Sequence, residues 1–394
     1  MDLDIMPWLN LAIRWLHIIT GIAWIGSSFY FIWLDNNLEK PKDPKPGMSG
    51  ELWSVHGGGF YHQQKYAVAP EAMPEKLHWF KWEAYFTWMS GFALLAVIYY
   101  YGANLFLIDK AKMALTQSEA IGISLAFIIG GWFVYDGLCR SPLGRNNKAF
   151  GIVWFGVMLA AAYALTHIFS DRAAFIQVGA MVGTAMAANV FMVIIPNQKK
   201  VVAALTAGEA PDPRLGQMGK QRSLHNNYMT LPVLLIMVSN HYPMVFSNPN
   251  NWLVLAGLSL AGITIRHYFN LKHKGKAHPG VVVLAAVFFI GTMIFAAVSA
   301  GKSKVATGDV QFSQVQAIIT KHCVMCHSAH PTHEGFEEAP MGVRFDDPAL
   351  IQQYAPRIKM QAVDADIMPL GNETGMTDEE RALLGKWIAD GAKR

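Results

Sequence analysis

The sequence carries little charge for its length. Asp, Glu, Lys and Arg make up 15% of its 394 residues, whereas a soluble domain usually has about 25%. The formal net charge of +4 is too small to indicate a nucleic-acid partner. Three cysteines are too few for a disulfide framework, and two of them belong to one short motif. This composition excludes both a basic nucleic-acid-binding protein and a disulfide-stabilised secreted domain.

The N-terminal segment MDLDIMPW lacks a basic region and a small-residue cleavage site ahead of the first apolar run. We therefore expect that run to be a retained membrane helix and not a signal peptide.

Long apolar runs dominate what is present. A bilayer-spanning helix needs about 20 predominantly apolar residues, and eight stretches fit this requirement. The pattern predicts an all-α fold: a polytopic bundle of eight transmembrane helices, followed by a small helical domain. The predicted spans are 8–34, 84–107, 119–136, 149–170, 173–196, 224–243, 252–270 and 280–300.

Basic residues are distributed unevenly between the two sets of loops. Eighteen Lys and Arg residues follow the odd-numbered spans, against three in the N-terminal tail and after spans two, four and six. The positive-inside rule therefore places the first set in the cytoplasm. We expect a bacterial inner-membrane protein whose N-terminus and C-terminal domain are periplasmic.

The composition changes after residue 300, where charged residues become more frequent and apolar runs become shorter. We predict a transmembrane catalytic domain at 1–300, a linker at 301–308 and a second domain at 309–394. The loop 35–82 is too aromatic to be disordered, and Gly57-Gly58-Gly59 could turn a hairpin in it. We expect this loop to fold back onto the inner face of the membrane.

A haem-attachment motif opens the second domain. Cys323, Cys326 and His327 form C-x-x-C-H, in which two thiols bind the haem edge and the histidine binds iron. We predict covalent haem c here. A chance match, a zinc site or a dithiol site is the alternative. The candidates for the sixth ligand are Met341, Met360, Met368 and Met376.

Met368 is the predicted axial ligand because it precedes Pro369 in a loop just before a well-marked helix. That helix has a capping box formed by Thr377 and Glu380. A second amphipathic helix precedes the motif, so the layout is that of a class I cytochrome c.

Ionisable residues inside a membrane are costly and mark candidate functional sites. His17, His167 and His241 fall in the outer half of their spans, and two of them could hold a b-type haem. A second set could bind a flat, polar anion. It comprises His225, Asn226, Asn227, Asn240, Arg266 and His267. The alternatives are helix-end caps for the histidines and ordinary interhelical hydrogen bonds for the polar set.

Three stretches carry a family resemblance: WLHIITGIAWIGSSFYFIWLDNNL, LHNNYMTLPVLLIMVSNHYP and CVMCHSAHPTHEGFEEAPMGVRFDDP. Through them the whole chain resembles the bacterial integral-membrane urate oxidases (urate hydroxylases), which fuse an eight-helix domain to a cytochrome c. The resemblance implies oxidation of urate to 5-hydroxyisourate, with water supplying the oxygen and the cytochrome receiving electrons. A respiratory acceptor would then reoxidise the haem.

The distance between the urate site and the haem limits how such a reaction can work. If urate enters from the cytoplasm, electrons must cross much of a hydrocarbon layer about 30 Å thick. Either the urate site lies near the outer face or a second redox centre lies in the membrane. The alternatives to a urate oxidase are another membrane dehydrogenase, for example one that oxidises quinol, and a non-enzymatic electron-relay cytochrome with a membrane anchor.

Overall fold

Long helices account for most of the chain in the computed structural model, which describes residues 5–67, 69–299, 306, 308–365 and 367–394. The predicted 301–308 linker lies almost entirely outside the described residues. Ten helices precede it: α1 Ile5–Asn37, α2 Trp82–Leu95, α3 Gln117–Arg140, α4 Asn147–Ile168, α5 Asp171–Ala188, α6 Ile195–Thr206, α7 Pro213–Ser239, α8 Pro243–Phe246, α9 Asn251–His273 and α10 Pro279–Ser299. The all-α class is confirmed, with one β-hairpin added.

Six helical segments of the described chain are long and apolar enough to cross a membrane. They are α1, α3, α4, α9, α10 and the continuous segment Asp171–Thr206, which joins α5 and α6 through a π-helical stretch at Asn189–Ile194. The second and sixth predicted spans also form helices. However, α2 passes into π-helical turns at Ala96–Tyr100 and Ala103–Leu107, and the first half of α7 is polar. For these two segments, crossing the membrane stays a prediction.

The loop after α1 contains the predicted hairpin. Strands β1 (Met48–His56) and β2 (Gly59–Tyr66) pair antiparallel, and His56 is opposite Gly59. Gly57 and Gly58 turn the chain with φ of 57° and 79°, the backbone that a tight two-residue hairpin turn requires. Lys65 pairs with Asp35 at 2.6 Å, which fastens the hairpin to the C-terminal end of α1.

The main hydrophobic core lies among α3, α4, α5 and α7. Tyr135, Phe150, Leu165 and Phe175 are among its buried members. Faces of α1 and α10, by contrast, expose many large apolar side chains, as helices in contact with lipid do. The bundle therefore has a packed centre and an apolar exterior.

The C-terminal region has a separate core. Its helices are α11 Phe312–His322, α12 Pro348–Gln353, α13 Ala355–Ile358 and α14 Asp378–Ala389. The predicted capping box is confirmed, since Thr377 Oγ1 accepts from the Glu380 N–H and Glu380 accepts from the Thr377 N–H. α11 and α14 pack together, with Val315, Ile319, Leu384 and Trp387 buried.

The hairpin and the C-terminal region lie at opposite ends of the bundle. The α2 segment begins beside the hairpin, and its last π-helical turn contacts the short 3₁₀ turn Leu370–Asn372 of the C-terminal region. This separation is the one that the basic-residue pattern predicts, although the orientation in a membrane stays a prediction.

Candidate functional site

A packed polar network centred on Arg222 fills the bundle near the predicted inner end. The Arg222 side chain is 1% exposed, and its Nη2 donates to Asp136 Oδ1 at 2.7 Å. Its Nη1 donates to Asn189 Oδ1 at 3.3 Å, while Asn189 Nδ2 donates to both Tyr135 Oη and Asn226 Oδ1. Asp136 is thus a counterion for Arg222, and its other oxygen, Oδ2, accepts from Arg140 Nε at 2.6 Å.

His225 belongs to the same network. Its Nδ1 lies 2.9 Å from Tyr135 Oη, and its ring stacks on Phe150 with centroids 4.2 Å apart. The other ring nitrogen of His225, Nε2, is buried without a hydrogen-bond partner in the described chain. The structure thus joins two predicted site residues, His225 and Asn226, in a densely packed interior.

A second arginine has no counterion among the described residues. Arg266 is 4% exposed, yet its Nε and Nη2 have no hydrogen-bond partner there. Its guanidinium carbon lies 3.8 Å from the Phe29 ring centroid. Burying a charge without a partner is strongly unfavourable. A buried and unpaired guanidinium therefore indicates a site for an anion.

A cavity of about 430 Å³ opens at this arginine. We call it the Arg266 pocket; Phe29, Tyr30, Trp33, Arg266, Phe269 and His273 line it. Four of these six side chains are aromatic rings of α1 and α9. Such walls suit a flat ligand, because aromatic faces stack on planar groups.

An asparagine pair joins α9, the helix of Arg266, to α7. Asn270, four residues after Arg266, donates through Nδ2 to Asn227 Oδ1 at 2.9 Å. Asn270 Oδ1 and Asn227 Nδ2 are buried without partners in the described chain. Neither asparagine lines the pocket, but Asn270 is one helical turn from Arg266. The pair therefore adds a donor and an acceptor close to the Nε and Nη2 donors of the arginine.

The remaining predicted substrate residues lie elsewhere. His267 is exposed, with Nδ1 2.8 Å from Tyr228 Oη. Asn240 lies at the opposite end of the bundle, where its Oδ1 accepts from Arg172 Nε at 3.1 Å. The structure therefore divides the predicted set among several places. The sequence reasoning missed Phe29, Asn270 and His273, although Arg266, Asn270 and His273 share one face of α9 at helical spacing.

The three predicted haem-b histidines are also separated. His17 Nδ1 lies 3.0 Å from the Thr87 carbonyl oxygen and 3.1 Å from Ser90 Oγ, so α2 orients its ring. His167 is exposed and hydrogen-bonds the Tyr163 carbonyl of its own helix at 2.7 Å, and His241 is exposed in the turn after α7. No hydrogen bond or ring contact joins any two of them in the described residues.

His17 nevertheless fits an iron ligand. A ring whose Nδ1–H donates to a carbonyl holds the tautomer in which Nε2 can bind a metal. The ring edge also lies against Gly91, where an added Cβ would be 2.9 Å from His17 Cε1.

The C-x-x-C-H residues begin at the C-terminal cap of α11, and Cys323, Cys326 and His327 are all partly buried. Cys323 and Cys326 are not joined in a disulfide. His327 Nδ1 is 3.0 Å from the Val343 carbonyl oxygen, which leaves Nε2 for a metal. Burial, together with the neighbouring Cys326, raises the pKa of the Cys323 thiol to about 12.

Met368 lies partly buried against the C-terminal core. Of its three competitors, Met341 is 95% exposed, Met360 is 49% exposed and Met376 is 3% exposed. Among the described residues no group of three or more His, Cys, Asp or Glu side chains could hold a metal ion by itself, so a zinc site at the motif has no support.

Comparison with known proteins places the bundle in a family. No curated protein and no solved structure matches the chain. The family model described as Urate oxidase N-terminal matches residues 4–297, which spans the helical bundle and the hairpin. The chain therefore belongs to the urate oxidase N-terminal family, whose members are oxidoreductases that act on urate.

Proposed function

We propose that this protein is a membrane-bound urate oxidase that converts urate to 5-hydroxyisourate and passes the electrons to its own covalently bound haem c. The observation that carries the proposal is the Arg266 pocket, with its buried guanidinium and no counterion in the described chain. Urate is a planar anion at neutral pH, and family membership identifies it as the substrate class.

The pocket residues account for binding. The Nε and Nη2 donors of Arg266 hold one edge of the urate anion. Asn270 Oδ1 accepts from a ring N–H, while Asn227 Nδ2 donates to a carbonyl oxygen. Phe29 and Phe269 confine the ring between apolar faces.

The reaction consumes one water for each urate monoanion and releases two electrons and one proton. His273 lines the pocket, and its Nδ1 is buried without a partner in the described chain. We assign it as the base that takes the proton when water adds to the oxidised purine. Its position at the end of α9 lets the proton leave on the side of the bundle where the hairpin lies.

The electrons leave in the opposite direction. His17 is twelve residues before Phe29 on α1, about 18 Å along the helix axis. It contacts α2 at Gly91, which precedes the C-terminal contact at Asn104 by thirteen residues, or about 20 Å. His17 thus lies about midway between the Arg266 pocket and the contact with the C-terminal region. We propose that it binds a b-type haem, which supplies one-electron transfer between the pocket and the C-terminal region.

Cys323 and Cys326 would hold haem c through thioethers, with His327 and Met368 as axial ligands. The bound group accepts one electron at a time, so each urate requires two transfers. On this assignment the bundle carries the urate chemistry, and the C-terminal region delivers electrons to a respiratory acceptor on the periplasmic side.

The test uses the full-length protein in lipid nanodiscs without oxygen. Urate should reduce haem c, visible as growth of the reduced absorption bands. Arg266→Gln should lose this response, whereas Arg214→Gln, at an exposed arginine, should keep it. A wild-type protein that is reduced by a quinol and ignores urate would support the dehydrogenase alternative and refute the proposal.

A further inference from the structure

Besides a contact between the π-helical turn Lys359–Asp364 and α8, the C-terminal region touches the bundle through the short loop 367–372, which we call the docking loop. Ile367 packs against the main hydrophobic core of the bundle. The turn Leu370–Asn372 lies against the π-helical turn Ala103–Leu107. A second contact joins Gly335 to Leu105, where an added Cβ would be 3.2 Å from Leu105 Cδ1.

Gly371 is packed against the backbone of the bundle at this contact. An added Cβ would lie 3.3 Å from the Asn104 carbonyl oxygen and 3.4 Å from the Ile108 carbonyl oxygen. Both neighbours are backbone atoms, which cannot turn aside as a side chain can. Its φ of 59° also lies in the left-handed region that favours glycine.

The surface that receives the loop is rigid. Ser170 donates its backbone N–H to the Leu107 carbonyl and its hydroxyl to the Phe106 carbonyl. Ile108, 1% exposed, pairs with Phe169. The end of the α2 segment is therefore tied to the start of α5, so the contact does not depend on a free helix end.

The loop is equally fixed on its own side. The backbone N–H groups of Ile367 and Met368 both donate to the Gln361 carbonyl, at 2.9 and 3.0 Å. Arg381 Nη1 donates to the Met368 carbonyl at 2.7 Å. Gly371 follows Met368 by three residues, a span of about 10 Å at most. Gly371 and the predicted iron ligand therefore belong to one short, hydrogen-bonded loop.

We propose that the docking loop is the point at which electrons enter haem c, and that Gly371 is the positioning residue that sets the distance. This inference rests on the proposed function, since it needs haem c with Met368 as ligand. Electron-transfer rates fall steeply with distance. The docking loop both bears the predicted iron ligand and touches the bundle, so it offers a short path between the bundle and that ligand.

The test compares Gly371→Ala with Gly375→Ala. Gly375 also has a left-handed φ, 68°, but nothing lies within 4 Å of its added Cβ. Both variants carry the same backbone strain, and only the first disturbs the contact. We expect Gly371→Ala to slow haem c reduction by urate at least several-fold in a single turnover, while Gly375→Ala keeps the wild-type rate. Ile367→Ala, which removes apolar contact without strain, should slow it as well.

Two further measurements distinguish a change in the docking contact from damage to the haem site itself. Ascorbate should reduce haem c in all the variants, and the methionine-to-iron charge-transfer band should persist. Loss of that band in Gly371→Ala would overturn the positioning role, because the residue would then be supporting the haem itself. Equal urate-driven rates in Gly371→Ala and Gly375→Ala would also overturn it.

A protease site inserted at 301–307 tests the contact without urate. After cleavage, the C-terminal region should stay with the wild-type bundle and be released more readily from Gly371→Ala. Release from the wild type would overturn the inference. Retention in a wild type that urate does not reduce would refute the proposed function and leave the docking contact supported.

Discussion

The guanidinium carbon of Arg266 on α9 lies 3.8 Å from the centroid of the Phe29 ring on α1. An arginine over an aromatic face gains a favourable cation–π interaction. That interaction offsets only part of the cost of burying the charge, so the Nε and Nη2 edge stays available to an anion. The two helices thereby form one binding surface from residues far apart in the sequence.

Asn270→Asp should block urate binding by supplying Arg266 with an internal counterion. The two residues are one helical turn apart, so a carboxylate at 270 can reach the guanidinium. We expect the urate concentration for half-maximal haem reduction to rise at least about tenfold, or ~1.4 kcal/mol. Asn270→Ala, which removes the acceptor without adding charge, should have the smaller effect. Equal effects of the two substitutions would contradict the anion assignment.

His17→Ala should remove noncovalent haem and leave covalent haem in place. The reason is that the Thr87 carbonyl fixes the His17 ring with Nε2 ready for a metal. Acid–acetone extraction followed by a pyridine haemochrome spectrum measures the two haems separately. His167→Ala and His241→Ala identify the second ligand, if either provides it. A fully active wild type that contains only haem c would refute the relay and place the urate site near the outer face.

Met368→His should retain the covalent haem and lower its reduction potential, because an imidazole in place of a thioether stabilises the oxidised iron. Potentiometric titration of the full-length protein measures the change. Met360→Leu, at a half-exposed methionine, is the control and should leave the potential unchanged. If Met360→Leu or Met376→Leu lowers the potential while Met368→His does not, the ligand assignment is wrong.

Glu380 should make the C-terminal region sensitive to acid. Burial raises its pKa, but the Thr377 N–H, Lys321 and His322 outweigh this and lower the pKa to about 2. The ordinary value is 4.5, so the stabilisation is complete above that pH and is lost as the pH falls toward 2. Glu380→Gln should lower the free energy of unfolding by about 1 kcal/mol at pH 7.

The difference between wild type and Glu380→Gln should shrink as the pH falls toward 2 and vanish below it, where the wild-type carboxyl is also neutral. Denaturant titrations followed by haem absorption at several pH values measure it. Glu337→Gln removes the same charge at an exposed position and serves as the control. A difference that does not change with pH would show that capping geometry alone, and not the carboxylate charge, stabilises α14.

A reporter active only outside the cytoplasm should work when fused after Ser299 and fail when fused within 207–212. The structure separates these points, since α10 and α7 run between opposite ends of the bundle. The reverse pattern would refute the orientation. It would also place C-x-x-C-H on the side of the membrane where haem is not attached.

Local patterns predicted local structure well. The glycine run at 57–59 predicted the hairpin, and Thr377 with Glu380 predicted the start of α14. Both features depend only on residues close together in the sequence. Apolar length located a helix at every predicted span. It did not reveal that the α2 segment ends in π-helical turns, since hydropathy carries no information about hydrogen-bond register.

The candidate site was harder to predict, because a site depends on which helices are neighbours. Asn226 and Asn227 are adjacent in the sequence, yet Asn226 joins the Arg222 network and Asn227 pairs with Asn270, one helical turn from Arg266. Asn240 lies at the C-terminal end of α7, where it bonds Arg172 and belongs to neither group. Phe29 carried no polar signal, so only the packing of α1 against α9 could show its role.

The opposite-end placement of the Arg266 pocket and the docking loop has an electrical consequence. Arg266 is fifteen residues into α9, about 22 Å from the helix start. On the proposed path each electron moves outward through much of the membrane, and the cell interior is negative. Moving one electron outward across the full thickness releases ~2.3 kcal/mol per 100 mV of membrane potential. Urate oxidation would then be driven by the transmembrane voltage, and it should slow when an ionophore collapses that voltage.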